Sequence, residues 1–324
     1  MTSRERVMTA LKLGIPDRVP FFDQVDPGMQ AALMGKKDFD PLEFARFMDF
    51  DALAAPPLYP PFFARMEKDS GGREILVEGL IKTRADLYKA QFPKIGVGFF
   101  DGHARFVDRY GTAGLALYTR SRLGPAGIFN SMGLDGFSYA LADDIGLIEE
   151  LLDRYAQWAS SMIRGLQGLG FDFLWFSDDV AFKGGPLCSP EAFRQLFIPY
   201  MKAAVADIKV PWVYHSDGDL NPLLPDLLAL GMSALNPIEP GAMDIERVKA
   251  EYSHRICLMG NIDLGYTLTR GTVEETTQEV RRRIEVVGRG GGYILASANS
   301  IPDYCIPANV IAMRDALHSY GWYE

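Results

Sequence analysis

The chain has 324 residues, of which 48% are hydrophobic and 23% are charged, and this balance excludes a fibrous or disordered protein. Its 33 basic and 42 acidic residues give a net charge of −9, so we predict neither a nucleic acid nor a membrane as a partner. Its three widely spaced cysteines fit no disulfide framework, and its apolar runs are too short for a signal peptide or a membrane span, which together predict a cytoplasmic protein.

Short apolar runs alternate with segments of helical periodicity, which is the order of repeated βα units around a parallel sheet. The predicted strands are 18–22, 52–55, a third that residues 123–125 either end or follow, 173–176, 211–214, 234–238, 256–259 and 293–295. Helices are predicted to begin near Asp40, Ile145, Ser189, Pro222, Ile245 and Thr272. About eight such units predict an α/β fold of one (β/α)8 TIM barrel that spans residues 1–324.

One long segment does not fit this rhythm. Residues 56–120 contain more aromatic and charged side chains than one plain βα unit holds, so we predict an insertion between early strands, or a lid near the barrel mouth.

Polar residues that follow the predicted strands form the candidate site, because the βα loops of a barrel gather at the carboxyl ends of its strands. His215 and Asp217 lie two residues apart, so extended backbone presents both to one side, where they suit a divalent metal ion or a base steadied by an acid. The alternative to a functional pair is that Asp217 only forms a turn and His215 is a hydrogen-bonded residue of the barrel wall. The other candidates for catalysis or substrate binding are Asp23, Asp178, Asp179, Lys183, Asn236, Glu239, Asn261, Ser297 and Asn299.

Asp178 and Asp179 are adjacent, and neighbouring ionised carboxylates raise each other's proton affinity unless a cation or hydrogen-bond donors compensate. We expect one of them to face the cavity in a catalytic role while the other caps a turn. Lys183 is interpreted either as a group that binds an anionic part of the substrate or as a solvated loop lysine. Glu239 is interpreted as a site residue or as a turn residue beside Pro240.

These segments, taken in order, resemble the uroporphyrinogen decarboxylase superfamily, which also contains zinc-dependent methyltransferases that act on corrinoid proteins. The similar segments are 4–7, 16–20, 176–179, 189–194, 215–218, 260–263 and 302–310. The resemblance implies a (β/α)8 barrel with its site at the carboxyl ends of the strands, in agreement with the strand count.

Two departures from that resemblance bear on function. The decarboxylases carry an arginine-rich segment for the many substrate carboxylates, whereas residues 21–26 here read Phe-Phe-Asp-Gln-Val-Asp, which disfavours a polyanionic tetrapyrrole. The zinc methyltransferases have a His-x-Cys motif and a later cysteine. Asp217 stands here in place of the first cysteine, and Asn299 or a neighbour in place of the second, so the implied zinc or other divalent metal has harder ligands.

The leading hypothesis is therefore an enzyme that moves a methyl group between a small methylated substrate, of the methoxylated or methylamine type, and a corrinoid protein. His215 and Asp217 would hold a metal or polarise the substrate. Asp178 or Asp179 would assist as a ligand or as an acid or base, and Asn299 would orient the substrate. The alternatives are decarboxylation of a porphyrinogen or another carboxylated aromatic, and a non-catalytic barrel that binds a corrinoid or small ligand. The assembly of the chain stays open, and a homodimer is one of the options.

Overall fold

A curled parallel sheet lies at the centre of the computed structural model, which describes residues 1–69 and 74–324. The strands are β1 (Ala52–Ala54), β2 (Ala64–Lys68), β3 (Glu74–Gly79), β4 (Ala116–Ser121), β5 (Phe173–Ser177), β6 (Ala181–Phe182), β7 (Gly185–Pro186), β8 (Trp212–His215), β9 (Ala234–Asn236), β10 (Cys257–Ile262) and β11 (Tyr293–Ser297). Seven of them pair in the order β1-β4-β5-β8-β9-β10-β11, and every pairing in this sheet is parallel.

Helices surround this sheet. They are α1 (Ser3–Leu11), α2 (Pro27–Met34), α3 (Pro41–Phe47), α4 (Arg84–Lys89), α5 (Asp101–Tyr110), α6 (Pro125–Asp143), α7 (Ile145–Gln167), α8 (Pro190–Ala192), α9 (Ile198–Val205), α10 (Leu224–Leu228), α11 (Ile245–Tyr252), α12 (Thr267–Arg270), α13 (Val273–Val286) and α14 (Pro307–Tyr320). A π-helical turn, Phe193–Phe197, joins α8 to α9. No helix in the described part of the chain is long and apolar enough to cross a membrane.

The first predicted strand closes the barrel. Phe21 forms a parallel bridge with Leu295 of β11, and the Leu295 amide donates to the Pro20 carbonyl at 2.8 Å. On the other side, the Asp51 amide donates to the Phe21 carbonyl at 2.7 Å, just before β1 begins. Residues 18–24, the closing segment, therefore occupy the eighth strand position between β11 and β1, and the predicted (β/α)8 barrel is confirmed.

Aromatic side chains fill the barrel interior beneath its mouth. The Tyr118 ring of β4 stacks on Phe173 of β5 with 4.8 Å between centroids, and the Trp175 ring lies 5.8 Å from Tyr118. Phe22 of the closing segment is 5.5 Å from Tyr118. Alternation along extended backbone sends Phe173 and Trp175 to the same face of β5, so these rings form one packed layer.

Residues 56–120, the predicted insertion or lid, contain the antiparallel hairpin of β2 and β3, the helices α4 and α5, and most of β4. β4 is a barrel strand that begins at Ala116, so the irregular part ends earlier than the prediction placed it. The predicted segment extends into β4 because residues 115–117, Leu-Ala-Leu, closely follow the aromatic and charged stretch. A lid function for this segment stays a prediction.

Two buried arginines connect the closing segment to β1 and α1. Asp51 is fully buried, and its carboxylate accepts hydrogen bonds from the Arg6 guanidinium, from Arg18 at 3.2 Å and from the Phe21 amide at 2.8 Å. Arg6 also donates to Asp17 at 2.7 Å. The network holds the segment against β1, and this gives the family-like residues 4–7 and 16–20 a structural role.

Candidate functional site

The carboxyl ends of β5, β8 and β9 bring most of the predicted site residues to one place. Ser177 of β5 pairs in register with His215 of β8, and His215 pairs in register with Asn236 of β9. Asp179 and Asp217 follow the ends of β5 and β8, so their side chains reach the space beside the imidazole. The predicted gathering at strand ends therefore holds for this group.

A hydrogen bond from the neighbouring strand sets the orientation of His215, which is 8% exposed. Its Nδ1 lies 2.5 Å from Oδ1 of Asn236, whose own amide nitrogen donates to the Met259 carbonyl at 3.1 Å. Because that second bond fixes Asn236 with its oxygen toward the ring, Nδ1 is the nitrogen that carries the proton. Nε2 is then left with its lone pair pointing into the mouth.

Two carboxylates face this Nε2. Oδ1 of Asp179 and Oδ1 of Asp217 each lie 3.8 Å from it. Asp217 Oδ1 is buried and has no hydrogen-bond partner among the described residues, while its Oδ2 accepts from Asn299 Nδ2 at 2.6 Å. Burial raises the pKa of Asp217 to about 6, and the nearby carboxylates of Asp179 and Glu239 add to this shift against the opposing effects of His215 and Asn299.

These three side chains have the composition of a divalent metal site. One ligand atom from each of Asp179, His215 and Asp217 lies within 4.8 Å of the other two. A shared cation would supply the partner that Asp217 Oδ1 lacks and offset the repulsion between the two carboxylates. One imidazole with two carboxylate oxygens suits zinc or a harder divalent ion, and the proton on Nδ1 follows the usual pattern of a metal-binding histidine.

Glu239 and Lys183 lie at the edge of this cluster. Glu239 accepts from the Gly218 amide at 2.8 Å, and the Lys183 ammonium is 3.4 Å from its other oxygen. Lys183 has 69% of its side chain exposed. Glu239 thus steadies the turn after Asp217, and a substrate contact for either residue stays a prediction.

Asp178 lies outside the cluster, because its side chain binds the start of α6. It is fully buried, and its carboxylate accepts from the backbone amides of Leu123, of Gly124 at 3.3 Å and of Ala126 at 3.0 Å. Burial raises the pKa of Asp178 to about 6, against these donors. Of the adjacent pair, Asp178 caps and Asp179 faces the mouth.

Replacing Asp178 by alanine is expected to lower the free energy of unfolding by about 1–3 kcal/mol, because buried amides at the start of α6 lose their acceptor. Urea unfolding measures this, and Ser189→Ala is the matched control, since Ser189 caps α8 with a bond to one amide only. If the Asp178→Ala variant kept its stability but lost activity, Asp178 would instead have a catalytic role.

Asp23 and Ser297 meet where the closing segment joins β11. Asp23 accepts from the Ser297 amide at 2.6 Å and from the Gln24 amide at 2.8 Å. Burial raises the pKa of Asp23 to about 7, despite these donors. The Ser297 hydroxyl donates to the Asn299 carbonyl, which shapes the loop that carries the Asn299 amide to Asp217.

We expect Asp23 to make stability depend on pH. Its pKa is raised from 3.8 to about 7, so the folded chain keeps a proton that the unfolded chain has lost. The free energy of unfolding, relative to that of Asp23→Asn, should therefore fall as the pH rises from about 4 to about 7. Urea unfolding across this range tests it, with the exposed Asp315→Asn as control. Parallel pH profiles for the wild type and Asp23→Asn would contradict it.

Asn261 does not join the cluster. Its amide nitrogen donates to the Ile238 carbonyl at 2.7 Å, and its oxygen accepts from Arg283 of α13 at 2.8 Å. Both ends of the buried side chain are therefore used within the barrel wall. Asn236, also predicted to bind substrate, instead orients His215.

Sequence reasoning missed two residues that face the barrel interior, Arg120 and Trp175. They are paired in register on β4 and β5. Arg120 lies inside the predicted insertion, residues 56–120, and Trp175 lies inside the predicted apolar strand, residues 173–176, so the sequence pattern marks neither as a site residue. The alternation of Tyr118 and Arg120 in the run 117–121, Leu-Tyr-Thr-Arg-Ser, was the available signal.

The sequence comparisons with known proteins agree on one family. The sequence profile described as Uroporphyrinogen decarboxylase (URO-D) matches residues 130–320, more than half of the chain. Uroporphyrinogen decarboxylase from Chlorobaculum tepidum is 27% identical over 129 residues, which is 38% of this chain and 36% of that protein. The same enzyme from Chlorobaculum parvum is 28% identical over 130 residues, with the same coverage of 38% and 36%. The match thus spans about a third of the length of these curated relatives.

A methyltransferase from Methanosarcina mazei has a similar structure. It superimposes with a TM-score of 0.79 over 99% of both chains, at 18% sequence identity. At this identity the similarity establishes the barrel fold alone.

Proposed function

Because the chain belongs to the uroporphyrinogen decarboxylase family, we propose that it is a methyltransferase that moves a methyl group between a small methylated substrate and a corrinoid protein. The observation that carries this proposal is the meeting of Asp179, His215 and Asp217 at the barrel mouth. The methyltransferase from Methanosarcina mazei, which shares the fold, supports the choice of reaction.

The cluster would hold zinc or another divalent cation through His215 Nε2 and the two carboxylates. Such a cation supplies Lewis acidity toward a substrate heteroatom. Thiolate ligands would favour a substrate that binds the metal through sulfur, but this site offers carboxylate oxygens. It therefore suits the oxygen or nitrogen of a methoxylated or methylamine-type compound.

Neighbouring side chains position these groups. Asn236 holds the proton at Nδ1 of His215, so that Nε2 stays available in the mouth. Asn299 holds Oδ2 of Asp217, which leaves Oδ1 for a ligand. The Trp175 ring, with its centroid 6.2 Å from that of the imidazole, packs beside His215 on the β5 side.

Decarboxylation of a carboxylated aromatic compound is the second candidate, and Asp23 is the observation that favours it. Burial raises the pKa of Asp23 to about 7, so near neutral pH this carboxyl can give a proton to a ring carbon as carbon dioxide leaves. A polyanionic porphyrinogen is disfavoured, because the segment that carries Asp23 brings acids where the decarboxylases carry arginines.

Incubation with methylcobalamin and a panel of methyl acceptors, followed by absorbance, tests the proposal. We expect a cob(I)alamin spectrum with the metal-loaded protein and its loss in His215→Ala. Failure with every acceptor, together with no bound metal by elemental analysis, would overturn the methyltransferase assignment. Formation of coproporphyrinogen from uroporphyrinogen would establish the decarboxylase instead.

A further inference from the structure

Buried polar atoms without a hydrogen-bond partner are concentrated at the barrel mouth. Among the described residues there are four side-chain atoms of this kind, on Arg18, Arg120, Trp175 and Asp217. The Asp217 oxygen belongs to the cluster above, and the Arg18 nitrogen lies in the network at Asp51. Arg120 Nε and Trp175 Nε1 remain, and no group described so far uses them.

These two donors belong to residues that are neighbours across two strands. Arg120 and Trp175 pair across β4 and β5, and Trp175 is only 2% exposed. Arg120 lies two residues beyond Tyr118, whose ring packs in the barrel interior, so its side chain is directed to the same interior face. The guanidinium donates to the side-chain oxygen of Gln24 on the closing segment, which confirms that direction.

The charge of Arg120 is not balanced. In the described part of the chain its hydrogen-bonding partner is the neutral amide of Gln24, and no carboxylate forms an ion pair with it. By contrast, Arg6 and Arg18, which are buried residues, each contact two carboxylates. A buried donor atom without an acceptor costs about 1–3 kcal/mol, so an anionic acceptor from outside would satisfy both the Arg120 Nε–H and the indole N–H.

We propose that Arg120 and Trp175 form a subsite for the carboxylate of a small aromatic substrate. The guanidinium supplies Nε–H and the indole supplies Nε1–H, two donors on one side of the mouth that suit a carboxylate. The buried rings of Tyr118 and Phe22 lie beneath and favour a flat body over a branched one.

The position of this subsite also sets the order of the groups in the substrate. Trp175 of β5 lies between Arg120 of β4 and His215 of β8 in the strand order, and the indole and imidazole centroids are 6.2 Å apart. A molecule with its carboxylate at Arg120 would therefore carry its reacting heteroatom at the opposite end, toward Asp179, His215 and Asp217. The placement of the heteroatom at the cluster rests on the proposed function. The carboxylate subsite rests on Arg120 and Trp175 alone.

Calorimetric titration of the purified full-length protein with benzoate, and with its uncharged analogue benzamide, tests the subsite. We expect benzoate to bind the wild type at least tenfold more tightly than benzamide. Arg120→Met should weaken benzoate binding by about 10- to 100-fold and leave benzamide binding unchanged, as for loss of a charged hydrogen bond. Trp175→Phe should weaken benzoate binding by about fivefold or more, as for loss of one neutral donor.

Arg122→Met is the matched control. It removes the same charge close to the same strand end, but the Arg122 guanidinium is stacked on the rings of Tyr59 and Phe62, at 3.8 and 4.4 Å from their centroids. We expect Arg122→Met to change benzoate binding less than about threefold. The long-range attraction of a nearby positive charge is screened by salt, whereas a direct hydrogen bond from Arg120 is not. Circular dichroism checks folding, and Arg120→Lys serves as a second variant if Arg120→Met does not fold.

His215→Ala separates this proposal from the proposed function. Benzoate binding that survives in His215→Ala and is lost in Arg120→Met supports the subsite even if no methyl transfer is found. Benzoate binding that is lost in His215→Ala and kept in Arg120→Met places the carboxylate on the metal cluster and overturns the subsite. Equal affinities for benzoate and benzamide, or no saturable benzoate binding to the wild type, overturn it as well.

Discussion

Replacing Asp51 by asparagine is expected to lower the free energy of unfolding by about 3–5 kcal/mol. The buried carboxylate binds both Arg6 and Arg18 as well as the Phe21 amide, so the neutral variant leaves two buried guanidinium groups short of an acceptor. The loss should also loosen the closing segment where it meets β1. Urea unfolding followed by circular dichroism measures the change.

Asp49→Asn is the matched control for this prediction. Asp49 is paired with the same Arg18, but its side chain is 41% exposed, and exposed pairs contribute about 0–1 kcal/mol. We therefore expect Asp49→Asn to unfold within about 1 kcal/mol of the wild type. Equal losses in the Asp49 and Asp51 variants would show that the burial of Asp51 does not decide its contribution.

The second large effect is expected for metal affinity. Loss of a side chain that only orients a metal ligand costs about 10- to 100-fold in affinity. His215→Ala removes the proposed nitrogen ligand itself and should therefore lower the affinity for Zn²⁺ by more than this. Asn236→Ala removes such an orienting side chain and should lower the affinity by about 10- to 100-fold, because the ring is then free to rotate and change tautomer. Competition with a coloured chelator gives both values.

Asn261→Ala provides the matched control for Asn236→Ala. Both asparagines are buried on adjacent strands, but Asn261 bonds to the Ile238 carbonyl and to Arg283 and makes no contact with His215. Its replacement should leave Zn²⁺ affinity within about threefold of the wild type, even if it lowers stability. Equal Zn²⁺ affinities of the wild type and His215→Ala would rule out the metal site itself.

The barrel could be predicted from sequence because each of its strands carries a local pattern. Residues 173–177 and 293–297 are apolar runs bounded by turn residues, and they form β5 and β11 close to their predicted positions. Helix α6 was missed for the opposite reason. It contains Gly127, Gly133 and Gly136, which lower helix propensity, and it is stabilised by distant residues such as its cap Asp178.

The candidate site could be predicted as a set of positions but not as a set of roles. His215 and Asp217 were recognisable from their spacing at a strand end. The roles of Asn236 and Asp178 depend on which strands lie side by side and in what register, and this information arises only when the barrel forms. The same dependence explains why Arg120 was missed, since its neighbour Trp175 is remote in sequence.

The contact that closes the barrel has a consequence for folding during synthesis. Asp23 and Ser297 are bonded to each other although they are 274 residues apart. Contacts between such distant residues form late, because a long loop must first be closed. A nascent chain therefore carries the apolar Phe21 without its β11 partner until nearly all of the barrel has been made. The loop that carries Asn299 to Asp217 follows Ser297 directly, so the same late contact anchors the strand from which Asn299 reaches the cluster.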